Sequence, residues 1–330
     1  MLNAIYFEEL QYQETSLKRL EREFVLNIQE SPHFVETCDL DLVNVVFAPL
    51  GYQWDGEFFD KCPNLKVIAS NTTGCPHIDL FAAQQRGVDV VTLKDEQAFL
   101  EKITPTAEHT IGLILALTRQ LLPAVHSVEK GEWHRRPFGG PAMLSRSSLG
   151  IIGFGRLGKM VAGYGIALGM KVSFYDPLID WEKIEPKWGD NIVRHLNLRD
   201  LVRDVDIVSL HVPHSPLTEN IIDRGVFQEF KVGSYFINTA RGELVDHKAL
   251  LQALESKRLA GAALDVFENE FDPEFSIVTH ELWKYFRANH NLILTPHIGG
   301  STKDAWRMTE ELTIDRVVQR LRARENEVSR

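Results

Sequence analysis

The stretch SLGIIGFGRLGKMVAGYGIALGMKVSFYD, from Ser148 to Asp176, combines three glycines and one acid at a spacing suited to holding a dinucleotide. Gly153, Gly155 and Gly158 form G-x-G-x-x-G between an apolar strand and a helix. The first glycine permits a tight turn, the second lets backbone approach a pyrophosphate, and the third lets the helix pack closely on the sheet. Arg156 and Leu157 open the helix, whose N–H groups face the phosphates with Arg156 placed to assist. Asp176 stands 18 residues after Gly158, at the end of the next strand. A carboxylate there accepts from the adenosine ribose hydroxyls and repels the extra phosphate of NADP, so the expected cofactor is NAD. A lone glycine pattern also marks ordinary turns. Strand, turn, helix, strand and acid in one order carry the assignment.

The elements that position this turn are short β-branched runs alternating with helical patterns, which predicts parallel sheets flanked by helices. The first third holds strands at Ala4–Phe7, Phe24–Ile28, Val43–Ala48, Lys66–Ala69 and Asp89–Thr92, with helices at Glu14–Arg22 and Ile78–Gln85. Thr104-Pro105 then reads as a helix start, Thr capping and Pro at the first helical position. The helix Thr106–Leu122 is apolar on most of its surface, as in helices buried between domains or subunits, and Pro123 ends or kinks it. A Gly/Pro-rich stretch, Gly131–Pro141, contains Trp133. A second strand series follows: Leu149–Ile152, Lys171–Tyr175, Ile192–His195, Asp206–His211, Tyr235–Asn238, Gly261–Val266 and Leu292–Leu294. A last helix starts near Thr302.

A chain of 330 residues suffices for two domains of ordinary size, each with its own core. A composition of 44% hydrophobic and 25% charged residues excludes a disordered or fibrous protein. The net charge of −10 argues against a general nucleic-acid surface, so anionic ligands must be held by local features. Cys38, Cys62 and Cys75 form no CxxC pair and suit a reducing compartment. Cys75 lies in a Gly-containing loop with no evident base beside it, and reads as a half-buried small side chain rather than a reactive thiol. The N-terminus has acids where a secretory signal has basic residues, and the longest clear apolar stretch, Ile111–Leu117, is too short to span a bilayer. A soluble, cytoplasmic protein with no membrane or nucleic-acid partner is expected. His211 and His214 lie three apart without a Cys or acid cluster, so no metal site is expected.

Three later segments, INTARGELVD (Ile237–Asp246), ALDVFENE (Ala263–Glu270) and LTPHIGGST (Leu294–Thr302), join the glycine turn in a fixed order. With LHVPHSPLTEN, TPTAEHTIGLIL and the NTTGCPHID loop, the chain resembles the D-isomer-specific 2-hydroxyacid dehydrogenase family over nearly its whole length. That resemblance implies a substrate-carboxylate and carbonyl role for Arg241, and a paired Glu270 and His297 as acid and base. Reducing a 2-oxo acid needs a hydride from NADH and a proton for the developing alkoxide, which a histidine supplies near neutral pH. Taken singly, Arg241 reads equally as a surface charge, Glu270 as a loop acid and His297 as a structural histidine. Their common place at strand ends favours the site. The resemblance further implies that His211, Pro213 and Thr218 flank the adenosine. Thr239 and Ala240 lie beside the nicotinamide, Asp265 accepts from its carboxamide, and backbone N–H groups of Thr73 and Gly74 bind the substrate carboxylate.

The same resemblance implies two doubly wound α/β domains, a Rossmann NAD-binding domain (104–297) inserted into a flavodoxin-like substrate domain (1–103 and 298–330). The active site is expected in the cleft between them. The apolar helix and the Trp133 arm form the expected homodimer region, Trp133 either reaching the partner's site or anchoring local packing. The segment Val43–Asp55 lines the substrate pocket in relatives and here carries no Arg or Lys. That argues against a phosphorylated substrate, and Leu50, Tyr52 and Trp54 point to a less charged, aromatic-tolerant pocket. Phe271 replaces the proline usual after the catalytic Glu, and an extended insertion follows to Asn291. The chain ends about thirty residues past His297, so no appended regulatory domain is expected. The rival functions are an NAD-sensing corepressor-like protein of the same fold, and a relative acting on formate or phosphite. Formate enzymes carry Gln where Glu270 stands.

Overall fold

A computed structural model of the chain describes residues 1–37, 39–272 and 274–328; Cys38 lies outside the described residues. The chain forms two compact units, Met1–Ile103 with Thr302–Arg330, and Thr104–Ser301.

In the first unit, strands β1 (Leu2–Phe7), β2 (Phe24–Gln29), β3 (Val43–Phe47), β4 (Val67–Ala69) and β5 (Asp89–Val91) pair in parallel, in the order β2-β1-β3-β4-β5. This is the flavodoxin-like order. Helices α1 (Glu14–Glu23), α2 (Gly56–Lys61) and α3 (Leu80–Gln85) lie between them, and α4 (Gln97–Leu100) follows β5. Both faces of the sheet are covered. Ile5, Phe7, Val46 and Ile68 pack with Trp54 and Phe58 on one side, and Ala4, Tyr6, Val45 and Phe47 with Leu20 on the other. Burial on both faces is why these strands are almost continuously apolar.

One expectation fails here. Trp54 is fully buried, its indole N–H donating to the Pro49 carbonyl at 3.3 Å and its ring against Phe7, Tyr52 and Phe58. It is a core residue of this unit, not a pocket wall; strand-end aromatics alone do not disclose which way they point.

The second unit holds α5 (Pro105–Thr118), α6 (Leu121–Glu129), β6 (Ser148–Ile152), α7 (Arg156–Ala167), β7 (Lys171–Tyr175), α8 (Trp181–Trp188), β8 (Ile192–His195), α9 (Leu198–Asp204) and β9 (Ile207–Leu210). It continues through α10 (Arg224–Glu229), β10 (Ser234–Asn238), α11 (His247–Glu255), β11 (Leu259–Leu264), α12 (Glu281–Ala288) and β12 (Leu292–Leu294). The strands form one parallel sheet in the order β12-β11-β10-β9-β6-β7-β8, whose direction of winding reverses between β6 and β9. Such a switch point is where open α/β sheets hold ligands. Ala107, Ile114 and Leu117 of α5 and Val161 of α7 cover one face of the sheet; Leu201, Phe227, Leu250 and Leu282, from α9 to α12, cover the other. The chain then returns to the first unit as α13 (Lys303–Val328), which buries Ile314, Val317 and Leu321. Arg316 pairs with Glu96 there, and Arg320 and Arg324 with Asp89.

The expected single helix Thr106–Leu122 is two helices. Gln120 adopts the left-handed region (φ 51°), α5 stops at Thr118, and Pro123 falls in the first turn of α6, where no N–H is needed. Thr104 takes the N-cap position with Pro105 first in the helix, as expected, but its hydroxyl donates to Glu108 Oε1 at 2.5 Å and makes no cap bond to a first-turn N–H. The insertion after Phe271 is not merely extended, because it contains α12. The second crossing between units falls after Ser301, four residues beyond His297. The intervening residues hydrogen-bond back to Asp265, which holds them in this unit. No single helix among the described residues is long and apolar enough to cross a membrane.

Candidate active site

β6 ends at Gly153, whose φ of +91° lies where glycine alone is unstrained. A Cβ there would stand 2.7 Å from the His211 carbonyl oxygen, so the turn sits tight against the end of β9 at the switch point. At Gly158 a Cβ would stand 2.0 Å from the Gly153 carbonyl oxygen, which presses α7 onto the turn. Gly155 caps α7, open space lies beside it, and its cap offers no side chain to the first N–H groups. Uncapped donors at a helix N-terminus under open space fit a pyrophosphate. Arg156 and Leu157 start that helix; Arg156 is half-buried, which pulls its pKa down. Asp176 accepts from the N–H groups of Phe154 at 2.8 Å and Leu178 at 2.9 Å. It therefore braces the glycine turn, a duty additional to the ribose contact expected of it.

The neighbouring strand ends supply the remaining cofactor candidates. His211 follows β9 with its Nε2 2.8 Å from Ser209 Oγ. Its Nδ1 is buried without a partner, and burial pulls its pKa down to about 4, so the ring is neutral. Thr218 donates to the Pro213 carbonyl at 2.8 Å while accepting from the Ser215 N–H at 2.8 Å, which fixes the shape of the loop after β9. The buried Thr239 hydroxyl lies 2.8 Å from that of Thr110 on α5. Both threonine hydroxyls are thus engaged within the protein.

After β10, Asn238 determines the turn that carries Arg241. Its side chain accepts from the Ala240 N–H at 2.9 Å and donates to the Arg241 carbonyl at 2.8 Å. The Arg241 guanidinium donates to the Ala240 carbonyl at 2.6 Å. Gly242 then passes so close to the segment after β11 that a Cβ would stand 2.0 Å from Glu268 N. The turn bearing Arg241 is thereby locked against the turn bearing Glu270. From there Glu270 Oε1 meets His297 Nδ1 at 2.7 Å, while Oε2 accepts weakly from the Phe267 N–H at 3.3 Å. The Phe271 ring lies 5.6 Å from the imidazole, centroid to centroid.

His297 is held by its backbone. Its φ is +51°, and its N–H reaches the carbonyls of Asp265 at 2.8 Å and Thr295 at 3.0 Å. Asp265 itself is 1% exposed. Its carboxylate accepts from the Thr295 hydroxyl at 2.6 Å and from the N–H groups of Ile298 at 2.9 Å and Gly299 at 2.7 Å, with His109 Nε2 at 3.3 Å. Burial by itself pushes this carboxyl up, but the hydrogen bonds outweigh it and hold the pKa below the ordinary value. Asp265 thereby works as the clamp of the His297 loop, with Oδ1 occupied by protein donors and Oδ2 accepting from the Gly299 N–H. Asn238, His109 and Thr295 escape a reading by motif. The signal for each is a hydrogen-bonding side chain beside an apolar strand or helix, where burial demands partners.

Thr73 and Gly74 belong to the other unit, exposed in the loop after β4. That loop is pinned by Thr72, whose hydroxyl donates to the Gly74 carbonyl at 2.6 Å, and by the His77 carbonyl, which accepts from the Trp54 N–H at 2.8 Å. Among the described residues no group of three His, Cys, Asp or Glu is arranged to hold a metal ion.

Residues 111–299 match the family described as D-isomer specific 2-hydroxyacid dehydrogenase, NAD binding domain. A hydroxypyruvate reductase of Thermotoga maritima is 34% identical over 279 residues, covering 84% of this chain and 85% of its own. The chain belongs to the D-isomer specific 2-hydroxyacid dehydrogenase family. A D-3-phosphoglycerate dehydrogenase of Methanocaldococcus jannaschii is 35% identical over 84% of this chain and 50% of its own. The chain spans about half the length of several such curated relatives. The D-lactate dehydrogenase of Aquifex aeolicus, solved with NAD and lactic acid, superposes with a TM-score of 0.81 at 27% identity, covering 99% of this chain and 98% of that one. Within this family frame the glycine turn on β6 belongs to the NAD-binding domain, and NAD is the cofactor its geometry fits.

Proposed function

We propose that this chain is an NAD-dependent oxidoreductase interconverting a D-2-hydroxy acid and its 2-oxo acid. The observation that carries it is the 2.7 Å contact of Glu270 with His297 Nδ1, beside the turn bearing Arg241. With Nδ1 tied to a carboxylate, the imidazole presents Nε2 to the reacting oxygen. Bound NADH supplies the hydride. Arg241 holds the substrate carboxylate and polarises the carbonyl through paired donors. Glu270 stabilises the imidazolium that donates; His297 gives its proton to the alkoxide oxygen as the carbon is reduced and is then a neutral imidazole until solvent reprotonates it. One 2-oxo acid, one NADH and one proton become one 2-hydroxy acid and NAD⁺. Glu270 disfavours the formate branch, whose members carry Gln.

The expected readout is NADH oxidation against glyoxylate, hydroxypyruvate, phenylpyruvate and phosphohydroxypyruvate, with turnover of at least one. Tight NADH binding without turnover of any would instead favour an NAD-sensing role.

A homodimer fits the outer face of α6, where Leu121, Leu122, Val125 and Val128 are exposed, followed by Trp133 at 85% exposure. Such exposure removes local packing as the duty of Trp133 within its own chain. Light scattering at micromolar concentration should give twice the 37.6 kDa chain mass; a monomer would contradict the dimer. Cys75 forms no disulfide, which is consistent with a reducing, cytoplasmic setting.

A further inference from the structure

We propose that Phe271 determines specificity, selecting 2-oxo acids with an apolar side chain over phosphorylated or otherwise anionic ones; the inference rests on the dehydrogenase reading above. Phe271 occupies the position where relatives usually carry proline. Its ring lies 5.6 Å from that of His297 and tilted by 46°, yet it remains 42% exposed. A general acid must stand about 2.6–3.2 Å from the oxygen it protonates. The substrate's third carbon is only two bonds from that oxygen's carbon or nearer, so a side chain on it falls within van der Waals reach of a ring packed on the imidazole. A wet phenyl face there gains by being covered with hydrocarbon and loses by being covered with a hydrated ion.

The ring is presented rather than loosely hung. Asn269 adopts φ +55°, and the Asp272 N–H closes a turn onto the Asn269 carbonyl at 2.9 Å. The Phe275 N–H donates to the Asp272 carbonyl at 2.8 Å, and the Phe275 ring packs on Phe267 at 6.2 Å. Phe267 in turn lies against the rings of both His247 and His280, at 5.2 Å each. The turn that carries Glu270 and Phe271 is therefore moored to the core on both sides.

Charge points the same way. Glu268, Glu270, Asp272 and Glu274 surround Phe271 in sequence, and no Lys or Arg occurs between Arg258 and Lys284. A phosphate brought to this rim would meet carboxylates and find no cation on this segment to replace its water. Arg241 is reserved for the carboxylate common to all 2-oxo acids, so it does not discriminate among side chains.

The test is kcat/KM with NADH for phenylpyruvate, 4-methyl-2-oxopentanoate, glyoxylate and phosphohydroxypyruvate, in the natural protein and in Phe271→Ala and Phe271→Leu. The natural protein should favour the two apolar substrates over phosphohydroxypyruvate by tenfold or more. In Phe271→Ala the ratio of phenylpyruvate to glyoxylate should fall at least tenfold, with Phe271→Leu recovering part of it. A ratio unchanged within twofold, with all substrates slowed alike, would overturn the specificity role and leave the dehydrogenase reading intact. A preference of the natural protein for phosphohydroxypyruvate would overturn the role outright. Turnover of no 2-oxo acid by the natural protein would remove both, so the two failures are distinct.

Discussion

Asp265 and His109 form a pair only half legible in the sequence. Asp265 stands in a recognisable DVF segment, but its complete burial and its three hydrogen-bond donors, with His109 beside them, come from the fold. His109 lies in a helix that looks merely apolar. Because the Thr295 hydroxyl donates to Asp265, its oxygen is left to accept, and His109 Nε2 at 3.1 Å is the donor. Thus α5 hydrogen-bonds to the loop that presents His297. His109→Leu should lower stability by about 2 kcal/mol, the scale of one buried bond in a charged network. It should also lower kcat more than it raises KM, because the imidazole's aim is disturbed. His109→Gln, which keeps a donor near the same place, should recover most of both. Melting curves and steady-state kinetics check this; a Gln variant as impaired as Leu would refute the donor role. Trp54 illustrates the opposite limit, since residue type placed it in a pocket and packing placed it in the core.

At the scale of elements, the twelve strands among the described residues are legible because parallel sheets covered on both faces demand short apolar runs. Helix ends are less so. The break at Gln120 depends on one left-handed residue, and nothing in its type announces that conformation. Helix α12 is an instance of how a remote contact decides an element. Its N-cap, His280, accepts from the Leu282 N–H through Nδ1 at 3.1 Å, so its Nε2 carries the proton and faces His247 Nδ1 at 3.3 Å. His247, at the start of α11, has a buried Nε2 with no partner. Burial first, then the neighbouring imidazole, pulls its pKa down to about 4, against an attraction from Asp246. Burial likewise lowers His280, opposed by Glu268 and Glu281.

A histidine whose folded pKa lies below its unfolded value makes the unfolded state the better proton acceptor. Its stabilising effect is complete above about pH 6.5 and is lost as pH falls toward 4. His247 alone accounts for up to about 3 kcal/mol across that window. Denaturant midpoints should therefore fall between pH 6.5 and 4.5, and fall less steeply in His247→Gln. Identical slopes in the two proteins would contradict the assignment.

At the scale of the whole molecule, the order of motifs along the chain exposed the two α/β units, because each restarts its own strand series. The acidic net charge argued against a general nucleic-acid surface but indicated no site. What the sequence left hidden was which hydrogen-bonding groups are consumed internally, as at Thr218, Thr239 and Asp265, since satisfaction of a hydrogen bond is a property of packing. The central claim is that His297, held by Glu270 and the Asp265 clamp, is the proton donor of an NADH-dependent reduction. The most direct measurement compares kcat for the best 2-oxo acid, and NADH affinity by fluorescence, in the natural protein and in His297→Asn. The account predicts kcat lower by about 10²–10⁴ with NADH affinity within threefold. A variant that turns over within threefold of the natural protein would contradict it.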